Sequence, residues 1–128
     1  MRGLVCLSMS IALLAPTGAD AKRPTLTEAE KQQLPKYCWS QYVDPRYKDQ
    51  PGYVIPSVCG KAMNHTCPGH LYLLAAKRVN ATRRDRVYFA QNAINNFEYT
   101  MRHMTPQCPL RPEVEASLTL ARFIQAQR

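Results

Sequence analysis

The chain has 128 residues and a formal net charge of +8 at pH 7, with 17 lysines and arginines against 9 aspartates and glutamates. This length corresponds to one small domain. The carboxylates are few and scattered, which argues against the paired acids of a glycoside hydrolase. The sequence also contains no glycine-rich phosphate loop and no serine in a nucleophile-elbow pattern.

Residues 1–21 predict a cleaved secretory signal peptide. Arg2 gives a short positive region, residues 4–14 are apolar, and Ala19-Asp20-Ala21 has the small-residue pattern of a cleavage site. An apolar run of about a dozen residues is too short to cross a bilayer, which needs about 20. No later stretch is long and apolar enough either. We therefore expect an exported protein, periplasmic or secreted, whose mature chain begins at Lys22.

The mature chain would contain an even set of cysteines, namely Cys38, Cys59, Cys67 and Cys108. A small exported domain buries a modest core and commonly relies on disulfides, so two disulfides are expected. Four cysteines allow three pairings, and the spacing alone does not choose among them.

Residues 22–57 predict short helices followed by a proline-rich loop. The segment Thr27 to Glu30 has the pattern of a capping box, which opens a short helix that Pro35 ends. Pro35 suits the first turn of a second short helix over residues 36–43. Three prolines and two tyrosines in residues 44–57 favour an ordered loop.

Residues 58–128 predict a helical hairpin and a C-terminal helix. The first helix places its apolar residues on one face, and Pro68 interrupts it, so that either the helix kinks at Pro68-Gly69 or a new helix begins after Thr66. Residues 80–84 form the predicted turn, and Asp85 opens the second helix. The apolar residues of the first face are Met63, Cys67, Leu71, Leu74, Ala75 and Val79, and those of the second helix are Val87, Ala90, Ile94, Phe97, Met101 and Met104. No run alternates as a strand does, so the predicted fold is all-α.

Several segments resemble a group of exported bacterial proteins with tetratricopeptide-like helical hairpins. They are L-P-K-Y-C-W, M-N-H-T-C-P-G-H-L, the basic turn, A-I-N-N-F-E-Y-T-M and P-L-R-P-E-V, and the resemblance covers roughly residues 34–120. It implies a TPR-like hairpin bundle, no defined catalytic activity, and a Cys38–Cys67 disulfide that leaves Cys59 to pair with Cys108. Pro68 stands where this group has a bulky aromatic residue.

The sequence offers one alternative chemistry, a metal-handling or redox site made by Cys59, His65, Cys67 and His70. Thiolate and imidazole suit zinc or copper. Their spacing matches no common zinc finger or ribbon, and export favours oxidation of the thiols. We therefore expect Cys59 and Cys67 to form disulfides, and we expect no metal and no cofactor.

A basic run surrounds the predicted turn, where Arg83, Arg84 and Arg86 follow Lys77-Arg78. We expect the three arginines to project into solvent. Such a cluster suits an acidic protein or an anionic lipid headgroup, and it can also be a simply solvated turn. Export and the lack of a recognition motif disfavour nucleic acid.

The C-terminal helix, predicted over residues 112–127, has two apolar faces. The hairpin can cover the face formed by Val114, Leu118 and Ala121. The second face, formed by Leu120, Phe123 and Ile124, is expected to be the edge of a partner or self-association site. Alternatively, the N-terminal segment around Tyr37, Trp39 and Tyr42 folds over it. The sequence thus favours an exported, non-catalytic adaptor that binds a protein partner in the cell envelope.

Overall fold

A computed structural model describes residues 23–127 of the chain. These residues contain five α-helices and no β-strand, which confirms the predicted all-α class. The predicted signal peptide, residues 1–21, lies outside the described residues. Within residues 23–127, no helix has both the length and the apolar character that crossing a membrane requires.

The helices are α1 (Glu28–Lys31), α2 (Trp39–Tyr42), α3 (Thr66–Ala76), α4 (Arg83–His103) and α5 (Arg111–Ala126). Short 3-10 segments lie between the early helices, over Lys36–Cys38, Pro45–Tyr47, Ser57–Cys59 and Lys61–His65. The longest helix, α4, packs along both α3 and α5. The main core lies between these three helices, and a second apolar cluster lies between α3 and the N-terminal segment.

The predicted capping box at the start of α1 is present. The Thr27 hydroxyl accepts a hydrogen bond from the Glu30 amide at 3.2 Å, and the Glu30 carboxylate accepts one from the Thr27 amide at 2.8 Å. Each side chain satisfies a backbone donor that the helix itself cannot reach. This allows a helix of four residues to begin at a defined position.

The structure places Pro68 in the first turn of α3. The helix begins at Thr66, directly after the 3-10 segment Lys61–His65. The missing N–H of Pro68 costs no hydrogen bond there, because amides of the first turn have no intrahelical acceptor. Of the two predicted alternatives, the chain follows the second in beginning a new helix, but that helix begins at Thr66 itself rather than after it, and it has no side-chain cap.

Helix α3 is buried on two sides rather than on one face. Leu73 and Ala76 belong to the core shared with α4 and α5, whereas Leu71 and Leu74 face the N-terminal segment. A helix that is apolar all round is expected to be covered all round. Val79, predicted to share its face, is 98% exposed because α3 ends at Ala76.

Helix α4 begins two residues earlier than predicted. The Thr82 hydroxyl accepts a hydrogen bond from the Asp85 amide at 3.1 Å and caps the helix, so Arg83 and Arg84 lie in its first turn. The predicted apolar stripe is confirmed for its central members, since Ala90, Ile94 and Phe97 are buried.

Both disulfides have the pairing that the resemblance implies. Cys38 is bonded to Cys67, and Cys59 is bonded to Cys108. The first bond joins the N-terminal segment to α3, and the second joins the chain just before α3 to the connection between α4 and α5. All four cysteines are buried. Each bond closes a long loop and stabilises the folded state by roughly 4 kcal/mol in the chain-entropy model.

The loop after α2 is ordered by aromatic packing, as predicted. The rings of Tyr47 and Tyr53 stack with centroids 4.4 Å apart, and Trp39 packs on both of them. The Trp39 indole donates a hydrogen bond to the Leu34 carbonyl at 3.0 Å. These contacts hold the loop against the N-terminal segment.

Helices α3 and α4 are in close contact where Gly69 meets Phe97, and this contact is open to a direct test. A Cβ atom at position 69 would lie 2.6 Å from Cε1 of the fully buried Phe97 ring. Alanine normally stabilises a helix relative to glycine by about 1 kcal/mol. We expect Gly69→Ala instead to destabilise the protein by about 1–3 kcal/mol, as overpacking does. Thermal and urea unfolding measure this.

The matched control for this prediction is the Gly69→Ala/Phe97→Leu double variant. If the clash is the cause, the double variant should be more stable than the sum of the two single effects predicts. Additive losses would contradict the steric explanation.

Candidate functional site

The structure does not bring the four residues of the metal hypothesis together. Cys59 and Cys67 belong to different disulfides. His65 lies 3.0 Å from the side-chain oxygen of Asn96. Among residues 23–127, no three histidine, cysteine or acidic side chains are arranged to hold a metal ion. Within the described residues, these side chains therefore do not meet at the common point that the metal hypothesis requires.

Instead, His70 belongs to a buried polar contact that the sequence did not indicate. Its Nε2 atom lies 3.0 Å from the Tyr37 hydroxyl, and that hydroxyl donates to the Glu113 carboxylate at 2.5 Å. The phenol has one proton, so the hydroxyl must accept from His70. This assigns the neutral Nε2–H tautomer to His70. The contact joins α3, α5 and the N-terminal segment.

Burial controls the titration of both rings. It lowers the pKa of His70 to about 4. Burial, followed by the hydrogen bond to Glu113, raises the pKa of Tyr37 above its ordinary value. The Glu113 carboxylate lies 3.7 Å from His70 Nε2, but it is half-exposed and already accepts from Tyr37. Because burial lowers the pKa of His70, the imidazole is neutral at pH 7 and this contact is not an ion pair.

We expect acid to destabilise the protein through His70. The unfolded histidine titrates near pH 6.5 and the folded one near 4, so the unfolded state binds more protons between these values. The stability should fall by up to about 3 kcal/mol as the pH drops from 6.5 to 4. Urea unfolding at a series of pH values measures the slope.

The comparison variant for this measurement is His70→Gln, whose amide can still donate to the Tyr37 hydroxyl. It should lack the loss of stability between pH 6.5 and 4. Equal slopes in the two proteins would rule out His70 as the cause, since the other two histidines are common to both.

A basic cleft lies beside the turn that joins α3 and α4. One wall is the N-terminal segment from Arg23 to Thr27 with Glu30, and the other is the turn from Arg78 with the first turns of α4. The cleft has a volume of about 840 Å³. Its α4 side presents Arg84 and the aromatic rings of Tyr88 and Phe89. The contribution of residues 23–27 has no signal in the sequence, because it depends on contacts across about 50 positions.

An ion pair fixes the two walls to each other. The Arg78 guanidinium donates to Glu30 Oε1 at 2.6 Å and to Glu30 Oε2 at 2.9 Å, and it also donates to the Thr25 carbonyl at 2.6 Å. The hydrogen bond from Arg78 holds the pKa of Glu30 at about 2. Arg78 and Glu30 therefore neutralise each other's charge, and the pair contributes little to the attraction of a charged ligand.

The remaining charge around the cleft is positive. Arg84 is exposed, and among residues 23–127 no acidic side chain lies within ion-pairing distance of it. Arg23 lies over the Tyr42 ring, 5.2 Å from its centroid. The N-terminus of α4 adds partial positive charge, which Asp85 offsets in part.

The three arginines near the turn do not behave alike. Arg83 and Arg84 are exposed, as predicted. Arg86 is half-buried, and within the described part of the chain its Nε atom is shielded from solvent without a hydrogen-bond partner. The prediction of three solvent-projecting side chains is therefore wrong for Arg86. The Tyr88 hydroxyl is shielded and unpaired in the same way among residues 23–127.

We expect Glu30→Gln to loosen the N-terminal wall. The variant removes a charge-assisted hydrogen-bond pair, and we expect a loss of about 1–2 kcal/mol at pH 7. The folded pKa of Glu30 is about 2, against 4.5 for an unperturbed glutamate. Its stabilising effect is thus complete above pH 4.5 and is lost as the pH falls towards 2. The variant should show a flatter stability profile in that range.

Hydrogen exchange shows which backbone amides lose protection in the Glu30→Gln variant. Amides of residues 25–31 should exchange faster in the variant, while the centre of α4 should not change. Glu28→Gln is the matched control, because Glu28 is exposed and pairs only with Lys31 within α1. Faster exchange in both variants, or in neither, would contradict the proposed clamp.

The outer face of α5 is the second candidate surface. Leu120 is 39% exposed and Phe123 is 60% exposed, and both line a shallow groove with Pro112 and Ala116. Ile124, predicted to share this face, is only 7% exposed and belongs to the main core. It lies on the flank of the helix that turns towards α4.

The alternative prediction for this face does not hold. The aromatic residues of the N-terminal segment pack elsewhere: Tyr37 lies against His70, and Trp39 packs on Tyr47 and Tyr53. Within residues 23–127, the segment therefore leaves Leu120 and Phe123 uncovered.

No protein-family model, curated protein or solved structure matches this chain. The tetratricopeptide-like relationship therefore stays a prediction.

Proposed function

We propose that this protein is an exported, non-catalytic interaction module that binds an acidic segment of a partner protein in the basic cleft. The observation that carries this proposal is the cleft itself. It combines the cation of Arg84, which has no acidic partner among residues 23–127, with the aromatic walls of Tyr88 and Phe89. A segment with carboxylates and apolar side chains is the chemistry that matches both.

Charge supports an anionic ligand. Residues 77–86, which form the turn and the start of α4 beside the cleft, contain five cationic side chains against one carboxylate, Asp85. The five are Lys77, Arg78, Arg83, Arg84 and Arg86. Such an excess of one sign in a concave site attracts ligands of the opposite sign and speeds their association.

Shape favours a protein segment over a membrane surface. A bilayer presents a broad surface that a convex or flat basic patch contacts best, whereas an extended peptide can enter a cleft between two walls. The aromatic rings also offer apolar contact that a phosphate headgroup does not use. The predicted signal peptide and the two buried disulfides support an exported protein.

A labelled acidic peptide tests the proposal. The probe is a fluorescent peptide of about a dozen residues with glutamates and interspersed leucines, and fluorescence anisotropy measures its binding. We expect Arg84→Gln to weaken binding about two- to fivefold, the range for one exposed charge pair. The affinity should also fall as salt is added.

Arg102→Gln is the matched control, because it removes the same charge from the opposite end of α4. It should bind the probe as the unchanged protein does. Equal losses in both variants would indicate attraction by net charge alone and would contradict a site at the cleft. Binding to phosphatidylglycerol vesicles without binding to the peptide would overturn the proposal in favour of a lipid surface.

A further inference from the structure

The outer face of α5 has a regular pattern that its exposure alone does not explain. Pro112, Ala116 and Phe123 lie along the line opposite the buried stripe of the helix, with Leu120 beside them. Glu115 and Arg122 lie together on one flank, two helical turns apart. The face is thus a mainly apolar strip with Thr119 near its middle and one acid and one base along the same edge.

We propose that two copies of this chain associate through this face, with their α5 helices antiparallel and related by a two-fold axis. In such an isologous interface each residue meets its complement in the second copy. Residues at equal distances on either side of the axis lie opposite each other. The position of the axis along α5 can therefore be found from the residues that match.

Two independent matches give the same axis. Placing Glu115 opposite Arg122 of the second copy puts the axis midway between residues 118 and 119. Placing Phe123 over the gap between Pro112 and Ala116 of the second copy gives that same midpoint. The large ring then enters a space left by two small side chains, which is the knob-into-hole packing of paired helices.

The charges on the flank add specificity to this register. The two-fold axis creates two Glu115–Arg122 pairs for each dimer. Arg122 also donates to Glu98 of its own chain at 2.9 Å. A guanidinium carries five N–H donors, so Arg122 can keep this contact while it meets the Glu115 of the second copy.

The antiparallel arrangement separates the basic ends of two chains that each have a charge of +8. Gln125 of α5 lies beside Gln91 of α4, and Arg86 is five residues before Gln91, further from the two-fold axis. The two Arg86 residues of a dimer lie on opposite sides of that axis. At 1.5 Å per residue, they are roughly 35 Å apart along the helices. This is several Debye lengths at physiological salt, so their repulsion is largely screened.

Sedimentation equilibrium of the oxidised protein, purified after export in a bacterial host, tests the proposal. One helix per copy makes a small interface, so we expect a weak dimer whose mass average rises between about 10 µM and 1 mM. Phe123→Glu should weaken association at least about tenfold, because it buries a charge without a partner. Its circular dichroism and melting temperature should stay unchanged, since the side chain is exposed.

Charge reversal tests the register. Glu115→Arg and Arg122→Glu each place like charges opposite each other, so each variant alone should dimerise about tenfold more weakly. An equimolar mixture of the two should associate again, because the mixed pair regains both contacts. Arg84→Glu is the control, since its charge change lies away from α5, and it should dimerise normally.

Three outcomes would overturn the proposal. They are a protein that stays monomeric to 1 mM, association that Phe123→Glu does not weaken, and single charge variants whose mixture does not recover. The test is independent of the basic cleft, because peptide binding depends on Arg84 and dimerisation on Phe123. Dimerisation can therefore be contradicted while peptide binding is confirmed, and the reverse is also possible.

Discussion

The contact between Gly69 and Phe97 leaves no room for a side chain between α3 and α4. Because position 69 has no side chain, the Phe97 ring lies against the α3 backbone and is fully buried. The same ring packs against His70, with centroids 5.0 Å apart. His70 in turn meets Tyr37 of the N-terminal segment and lies close to Glu113 of α5. The glycine therefore positions elements from both ends of the described chain.

Two polar contacts attach the N-terminal segment to the helical hairpin at different levels. The Arg78–Glu30 pair is near the turn between α3 and α4, and the Tyr37–His70 contact is near the middle of α3. The apolar cluster around Leu71 and Leu74 lies between them, and the Cys38–Cys67 disulfide lies about one helical turn beyond the Tyr37–His70 contact. The segment is thus a third layer against α3, which explains why that helix is apolar on two sides.

Local chemistry made much of the fold predictable. The capping box at Thr27, the prolines and the stripe through Ile94 and Phe97 depend on residues within one or two helical turns. Thr82 illustrates the limit of such reasoning. It caps α4 with an Asp85 bond of the same kind as the Thr27 box, yet the arginines that follow it suggested a turn.

The candidate sites were harder to predict, because they depend on contacts between distant residues. Arg78 and Glu30 are 48 positions apart, so neither residue indicated a cleft. Ile124 is buried in the main core and Arg86 is half-buried, and the helical period of neither residue specifies these surroundings. The exposure of Phe123, by contrast, was predictable from α5 alone, because the helix has more apolar residues than one buried face can hold.

The order of the two disulfides has a consequence for a chain that a protease has cut. Their loops overlap, since Cys59 lies within the loop closed by Cys38 and Cys67, while Cys67 lies within the loop closed by Cys59 and Cys108. A protease that cuts any single peptide bond between Cys38 and Cys108 leaves both fragments covalently joined. A molecule nicked in this region therefore cannot lose a fragment by dissociation while both disulfides are intact.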